Sequence, residues 1–256
     1  MTIIEKDNQI APFIKEIILL ENHSNAQHEL PFYADGYPGI MYSETNEGIR
    51  LLPVNKILSN FFLYGQTIEP IVLQIKGTYK LIVFQLYPFA TRLLLDISPK
   101  EINDECYDLA KVKNMETEKT VALLVSTTTN KQVQLISKYV LDLVKNSSVN
   151  SDKSIKLAVS TIIKTKGMLP IKTLREQLFI TERTFERRFN KEIGVTPKQF
   201  AKIIQFSFSL NQIQESDYTK LTNIAYENGF ADQSHFIRTF KKYTGATPKD
   251  LLSKIG

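Results

Sequence analysis

Two segments in the carboxy-terminal half of the chain repeat each other at a distance of 51 residues. The repeated positions are two phenylalanines, an arginine, a glycine and a Thr-Pro pair: Phe185, Arg187, Phe189, Gly194 and Thr196-Pro197 in the first segment, and Phe236, Arg238, Phe240, Gly245 and Thr247-Pro248 in the second. A repeat of this length predicts that one folding unit has been duplicated.

Each copy has the pattern of a helix-turn-helix. In the second copy, Gly229 stands where a tight turn between two helices needs a positive φ, and Asp232 is placed to cap the next helix. Phe236 and Phe240 are four residues apart and therefore share one helix face. We expect the two units at residues 171–194 and 220–245, with second helices at Glu182–Ile193 and Gln233–Tyr243.

The Thr-Pro pairs predict further helix starts. Thr at the N-cap and Pro at the first helical position are a favoured combination, and Gln199 and Asp250 complete capping boxes. We expect a long helix from Pro197 to about Ile213 that connects the two units, and a short last helix to about Ser253. Another helix, at Ser154–Lys166, is expected to brace the first unit.

The spacing in the second unit, I-A-x-x-x-G-F-x-x-x-S-x-F-x-R-x-F-K-x-x-x-G-x-T-P, resembles the sequence signature of the AraC/XylS family of bacterial transcription regulators. So many spaced matches are much more specific than a short glycine motif. The resemblance implies a tandem helix-turn-helix domain that inserts two recognition helices into successive major grooves of double-stranded DNA, about 34 Å apart. It also implies transcription activation, with RNA polymerase as a further partner.

Motif position and side-chain chemistry select the candidate DNA contacts. Arg, Gln and Glu can pair with guanine, adenine and cytosine edges in the major groove, whereas Lys suits phosphates. The base-facing candidates are Arg183, Glu186 and Arg187 in the first unit, and Gln233, Ser234, His235 and Arg238 in the second. The phosphate candidates are Lys191, Lys198, Lys241, Lys242 and Lys249.

The first unit departs from the family pattern at two positions. Arg175 stands where the family usually has Ala, and Phe179 stands where its turn usually has Gly. A phenylalanine at a positive φ costs on the order of 1 kcal/mol. We therefore expect either that the first turn relaxes or that burial of Phe179 offsets the strain.

The charge of the chain is divided between its two halves. Residues 152–256 contain 18 Lys and Arg against 10 Asp and Glu, whereas residues 1–151 contain 14 against 17. A basic carboxy-terminal half is typical of a nucleic-acid-binding module attached to a separate module. With the polar run from Asn146 to Ser151, this predicts an α+β chain of two domains, residues 1–146 and 153–256, joined by a linker at 147–152.

The amino-terminal half has the pattern of a β-rich, barrel-like domain. Short apolar segments alternate with turn residues, which predicts strands at Phe13–Leu20, Gly39–Ser43, Ile49–Leu52, Asn60–Tyr64, Ile68–Ile75 and Tyr79–Leu86. A short helix is expected at 88–96 and a helical hairpin at 117–146. The pieces DGYPGIMYS, FFLYGQT and VFQLYPFATRLLL resemble an amino-terminal domain of an AraC-type subgroup whose role is not established.

Two functions remain open for this half. It holds eight of the eleven tyrosines (Tyr33, Tyr37, Tyr42, Tyr64, Tyr79, Tyr87, Tyr107 and Tyr139), which suits a small-molecule effector cavity but also an ordinary core. Alternatively, the domain only oligomerises. The apolar stripe of the hairpin then forms a homodimer face, although it could equally pack on its own sheet.

Other classes of protein fit poorly. A single cysteine, Cys106, excludes an internal disulfide and the cysteine-rich zinc site of DNA-alkyl-repair proteins that carry this domain. His23, His28 and Glu29 lack a zinc-ligand spacing, and neither a phosphate loop, a G-x-S-x-G elbow nor an HExxH helix is present. We expect no enzyme activity, cofactor or metal. Because no apolar run approaches 18 residues, a cytoplasmic protein is expected.

Overall fold

The computed structural model describes residues 1–111, 115–125, 127–215 and 220–255. The amino-terminal part is built from strands: β1 (Thr2–Ile4), β2 (Ile14–Asn22), β3 (Gln27–Phe32), β4 (Gly39–Thr45), β5 (Ile49–Leu52), β6 (Lys56–Leu58), β7 (Phe61–Tyr64), β8 (Ile71–Lys76), β9 (Tyr79–Leu86) and β10 (Cys106–Asp108).

Helices make up most of the remainder: α1 (Ala90–Leu95), α2 (Met115–Leu124), α3 (Thr129–Asn146), α4 (Lys153–Lys164), α5 (Ile171–Gln177), α6 (Glu182–Ile193), α7 (Pro197–Gln214), α8 (Leu221–Glu227), α9 (Gln233–Thr244) and α10 (Pro248–Ile255). Two short 3-10 helices occur at Pro99–Ile102 and Leu109–Lys111. Within the described residues, no helix is long and apolar enough to cross a membrane.

The strands form two antiparallel sheets. The larger has the order β1-β2-β9-β4-β7-β10 and the smaller has the order β3-β8-β5-β6. One face of the larger sheet and the inner face of the smaller enclose a shared core that includes Met41, Phe62 and Leu73. Tyr64 and Cys106 also lie in this core, and burial raises the pKa of the Cys106 thiol to about 12, which makes it an unreactive packing residue.

The other face of the larger sheet is covered by helices. Ile82 and Phe84 of β9 point to this face, whereas Leu81 and Val83 point between the sheets, so the central strand is buried on both sides. The cluster on this face also contains residues of α1, α3, α4, α5, α6 and α7. The hydrophobic core is therefore continuous from the sheets into the first helix-turn-helix unit.

The predicted fold class is confirmed, but the predicted bounds of the individual strands agree with the structure to different degrees. The bounds of β5 and β9 agree with the sequence pattern, whereas β8 begins at Ile71, three residues later than expected. The sequence analysis missed β1, β3, β6 and β10. These strands are short or carry polar residues: β3 reads QHELPF and alternates between exposed and half-buried positions.

The predicted helical hairpin is present as α2 and α3. Its apolar stripe on α3, which includes Val133, Ile136 and Val140, packs against the larger sheet. Tyr42 of that sheet donates a hydrogen bond from its hydroxyl to the carbonyl of Leu124, at 3.1 Å. Of the two uses foreseen for the stripe, the structure shows packing on the chain's own sheet.

A loop at residues 33–38 reaches from the sheets to the carboxy-terminal helices and contains a carboxylate in an unfavourable position. Asp35 accepts hydrogen bonds from the amide of Tyr37 and from Nε2 of Gln85, whose Oε1 accepts from Lys15. The residue retains some solvent exposure, but desolvation outweighs these favourable contacts and raises the pKa of Asp35 from 3.8 to about 6.

This raised pKa predicts a pH-dependent stability. The folded chain binds the Asp35 proton more tightly than the unfolded chain does. Protonation of Asp35 therefore stabilises the folded chain fully below pH 3.8, and this stabilisation is lost as the pH rises through about 6. Between pH 5 and pH 7.5, the unfolding free energy of the wild type should fall relative to Asp35→Asn by on the order of 1 kcal/mol. Urea denaturation of both proteins at several pH values measures the difference, and parallel curves would contradict the assignment.

Candidate nucleic-acid interface

The first helix-turn-helix unit consists of α5 and α6. Phe185 and Phe189 of α6 are fully buried, with ring centroids 5.7 Å apart, and Phe189 packs on Phe200 of α7. Because these phenylalanines fix the inner face of α6, the opposite side of the helix points outwards. Arg183, Glu186 and Arg187 are all exposed there.

The second unit, α8 and α9, repeats this arrangement. Phe236 and Phe240 lie 5.6 Å apart in a core with Phe206 of α7. Asp232 caps α9 by accepting a hydrogen bond from the amide of His235 at 2.7 Å, as the sequence predicts. The outward residues are Gln233, Ser234 and Arg238, which are exposed.

His235 differs from its neighbours among the candidates. It is half-buried, and its ring lies edge-on to Phe230 with the centroids 5.6 Å apart. Its Nδ1 is buried, without a hydrogen-bond partner in the described part of the chain. The structure thus gives this residue a packing contact at the start of α9, and base contact by His235 stays a prediction.

The lysines predicted to meet phosphates are all exposed. They are Lys191, Lys198, Lys241, Lys242 and Lys249. Lys191 lies in the last turn of α6, and Lys241 and Lys242 lie in the last turn of α9. A positive side chain there is favourable because the carboxy terminus of a helix carries a partial negative charge.

An ion pair that the sequence does not predict holds α6 on the side away from its outward face. Asp152 caps α4 by accepting hydrogen bonds from the amides of Ser154 and Ile155, and it also receives two bonds of 2.6 Å from Arg188. Desolvation alone would raise the pKa of Asp152, but the bonds from Arg188 and the two amides outweigh it and lower that pKa. Asp152 therefore fastens α4 to α6, on the side away from Arg187.

The turn of the first unit meets neither expectation formed from its sequence. Phe179 keeps a positive φ of 54°, so the turn has not relaxed, and 96% of the residue is exposed, so burial does not offset the strain. At the corresponding position of the second unit, Gly229 has a φ of 75° and faces the side chain of Met168. Of these two turn positions, only that of Gly229 has another part of the chain beside it.

No group of three or more His, Cys, Asp or Glu side chains in the described ranges could hold a metal ion. His28 instead packs edge-on against Tyr79, with the ring centroids 5.4 Å apart. The candidate interface thus consists of two outward helix faces, without a metal-binding cluster among the described residues.

Each half of the chain matches a known domain family. The family described as "Helix-turn-helix domain" (HTH_18) matches residues 174–254, which span both units. The family described as "Domain of unknown function (DUF6597)" matches residues 4–108, which span the sheets. The transcriptional activator RhaS of Yersinia pestis (strain Pestoides F) is 30% identical over 82 residues, and RhaS of Pectobacterium atrosepticum is 31% identical over 78 residues.

Residues 174–254 therefore carry a helix-turn-helix domain of the AraC type. The match to RhaS of Yersinia pestis covers 32% of this chain and 30% of the length of that relative. The chain therefore spans less than a third of the length of the relatives it matches in sequence.

Solved structures extend the likeness in fold to nearly the whole chain. ToxT from Vibrio cholerae O395, bound to (E)-4-(8-methylnaphthalen-1-yl)but-3-enoic acid, has a TM-score of 0.52 at 13% identity and covers 94% of this chain and 98% of its own. A ToxT structure with a bound unsaturated fatty acid has a TM-score of 0.50 at 15% identity and covers 92% of this chain. The chain therefore shares the fold of ToxT over nearly its whole length.

The exposed turn of the first unit predicts that Phe179→Gly leaves stability nearly unchanged. Glycine removes the strain of the positive φ but raises the entropy of the unfolded chain, so the unfolding free energy should change by less than about 1 kcal/mol. The matched substitution in the second turn is Gly229→Phe. It should destabilise the chain by several times more, because a Cβ there would lie 2.9 Å from Cγ of Met168.

Thermal and chemical denaturation of both variants measure these changes. A loss of several kcal/mol in Phe179→Gly would show that the phenylalanine packs in the native state and would contradict its exposure.

Proposed function

We propose that this protein is a sequence-specific transcription activator that binds double-stranded DNA with α6 and α9 in successive major grooves. DNA binding is assigned to residues 153–256, effector binding to residues 1–146 and the connection to residues 147–152. RNA polymerase is the proposed further partner. The proposal is of a regulator and not of an enzyme.

The observation that carries the proposal is the repetition of one outward face on two helices. In each unit a buried pair of phenylalanines holds the helix, and an exposed arginine, Arg187 or Arg238, lies between them in sequence. Arg can make a bidentate contact to guanine, and exposed lysines nearby can contact phosphates. The RhaS proteins that share this part of the chain are named as activators, which supports the sign of regulation.

We further propose an effector with an apolar body and a carboxylate. A cleft of about 420 Å³ lies between the sheets and α4, and its lining includes Tyr87, Phe89, Lys156, Ile163 and Lys164. The rings of Tyr87 and Phe89 stack with centroids 5.6 Å apart, and Nζ of Lys156 lies 4.7 Å from the centroid of Phe89. Such a cleft offers aromatic surface to a hydrocarbon and ammonium groups to an acid. ToxT, which shares the fold, binds an unsaturated fatty acid.

A second candidate gives the amino-terminal half only a role in oligomerisation. The burial of several tyrosines favours this oligomerisation role, since Tyr42, Tyr64 and Tyr139 are packing residues of the hydrophobic cores. A homodimer would then form through a surface other than the α3 stripe, which already packs on the larger sheet.

The DNA-binding proposal predicts separate base contacts for the two arginines. Arg187→Ala and Arg238→Ala should each weaken specific binding by about 1–3 kcal/mol and relax base preference at positions about one helical turn apart. Lys242→Ala should instead weaken binding to all sequences alike and lower the salt slope by about one.

Binding-site selection on the wild type and the three variants at fixed salt measures these effects. If both arginine variants relaxed the same base pair, or neither relaxed any, the two-groove mode would be wrong.

The effector proposal predicts a ligand-dependent gain in stability. Long-chain unsaturated fatty acids should raise the melting temperature of the wild type, because a ligand that binds only the folded state stabilises it. Lys156→Met should reduce that rise by removing the ammonium group from the cleft. Lys131→Met, on the exposed side of α3, is the matched control and should respond like the wild type. If no apolar acid shifts the melting temperature of any of the three, the oligomerisation role is favoured.

A further inference from the structure

Two segments of the amino-terminal half lie against the carboxy-terminal end of α6, and one of them also lies close to the carboxy-terminal end of α9. They are residues 65–70, between β7 and β8, and residues 98–105, before β10. We call them together the clasp. The sequence predicts no contact of either segment with these helices, and neither segment contributes to the outward faces of α6 and α9.

The two segments of the clasp are joined to each other by hydrogen bonds. The amide of Gly65 donates to the carbonyl of Glu105 at 3.1 Å, and the amide of Asp104 donates to the carbonyl of Gln66 at 3.0 Å. The Asp104 carboxylate accepts hydrogen bonds from the amides of Ile68 and Glu69. Only glycine fits at position 65, because a Cβ there would lie 1.8 Å from the carbonyl oxygen of Ile102. The two segments should therefore move together.

The clasp binds the end of α6 through two side-chain amides. Nε2 of Gln66 donates to the carbonyl of Ile193 at 3.0 Å, and Nδ2 of Asn103 donates to the carbonyl of Gly194 at 2.9 Å. The last carbonyls of a helix have no partner within the helix, and they carry its partial negative charge. Only the N–H end of an amide can satisfy such an acceptor. Loss of either donor leaves one of these carbonyls unpaired.

The surrounding contacts leave little room between the clasp and α6. Gly194, the left-handed cap of α6, lies so close to the clasp that a Cβ there would be 2.7 Å from the carbonyl carbon of Pro99. Arg92, at the end of α1, donates to the buried carboxylate of Glu192 at 2.5 Å. The end of the first recognition helix is therefore held by the amino-terminal half on two sides.

The same clasp reaches the end of α9. Pro70 lies close to Gly245, the left-handed cap of α9, since a Cβ added to this glycine would come within 3.9 Å of Cγ of the proline. Burial, with a smaller contribution from the nearby Glu69 carboxylate, raises the pKa of Tyr243 in the last turn of α9 to about 12. One short loop thus lies beside the ends of both helices: Gln66 is hydrogen-bonded to the end of α6, and Pro70 lies close to the end of α9.

We propose that the clasp sets the separation of the two recognition helices, with Gln66 and Asn103 as the positioning residues of α6. The inference rests on the proposed function, in which α6 and α9 enter successive grooves. Helix α7 connects the two units and packs against both helices, with Phe200 against Phe189 of α6 and Phe206 against Phe240 of α9. The clasp adds a second connection, so that the helices are fixed at two places.

The first test measures the separation in the absence of DNA. Spin labels are placed on Lys191→Cys and Lys242→Cys, which are exposed and equivalent in the repeat, with the native Cys106 replaced by Ser. Their distance distribution should be narrow in this parent and broader after Gln66→Glu, which keeps the size of the side chain but removes its donor. Gln27→Glu, an exposed residue of β3, introduces the same charge away from the clasp and should leave the distribution unchanged.

The second test measures the consequence for DNA. Full-length protein without labels is bound to duplexes whose two half-sites are separated by a series of base-pair spacings. The wild type should prefer one spacing, and Gln66→Glu should reduce that preference by about three- to tenfold, as expected for one lost hydrogen bond to a helix end. Asn103→Asp, at a half-buried site, should act in the same direction and serves if Gln66→Glu fails to fold.

The outcomes separate the clasp from the proposed function. An unchanged distance distribution in folded Gln66→Glu and Asn103→Asp would overturn the clasp, whether or not DNA binds. Narrow distances that broaden in the variants, in a protein that binds no DNA, would retain the clasp as a connection and overturn the proposed function. A wild type that binds DNA without any spacing preference would overturn the positioning role.

Discussion

Helix α7 packs into two hydrophobic clusters at once, and the relation between all other parts of the chain depends on it. Phe200 and Ile204 belong to the cluster shared with the larger sheet and the first unit, whereas Ile203 and Phe206 belong to the cluster of the second unit. The loop at residues 33–38 inserts along the same helix, with Ala34 in the second cluster and Gly36 against Phe200 and Ile204. A shift of α7 would therefore disturb both units and their contact with the sheets.

Because of this arrangement, the polar segment between α3 and α4 does not separate two independent hydrophobic cores. Helix α3 ends at Asn146 and α4 begins at Lys153, and the residues between them form neither helix nor strand, yet the hydrophobic core continues from one side of this segment to the other. Sheet residues such as Phe84 and helix-turn-helix residues such as Phe189 belong to one cluster. A ligand or substitution in the amino-terminal half can therefore affect α6 through packed side chains and the clasp, without a change in the linker.

The sequence predicts the carboxy-terminal half more fully than the rest. Helix bounds and caps depend on neighbouring residues, so α6 and the Asp232 cap could be predicted from periodicity and capping rules. Contacts between distant segments cannot be predicted in this way, because nothing near Gln66 indicates that its amide meets Ile193, 127 residues later. The strain at Phe179 could be inferred from the repeat, but its exposure could not, since the two turns differ in what lies beside them.

The central claim is that one chain places α6 and α9 on one side of a DNA duplex, in successive major grooves. Hydroxyl-radical footprinting of the wild-type protein on a selected binding site tests this claim most directly. The account predicts two protected patches on the same face of the duplex, centred about one helical turn apart and both produced by a single chain. A single short patch, or two patches that appear only when a second chain binds, would contradict it.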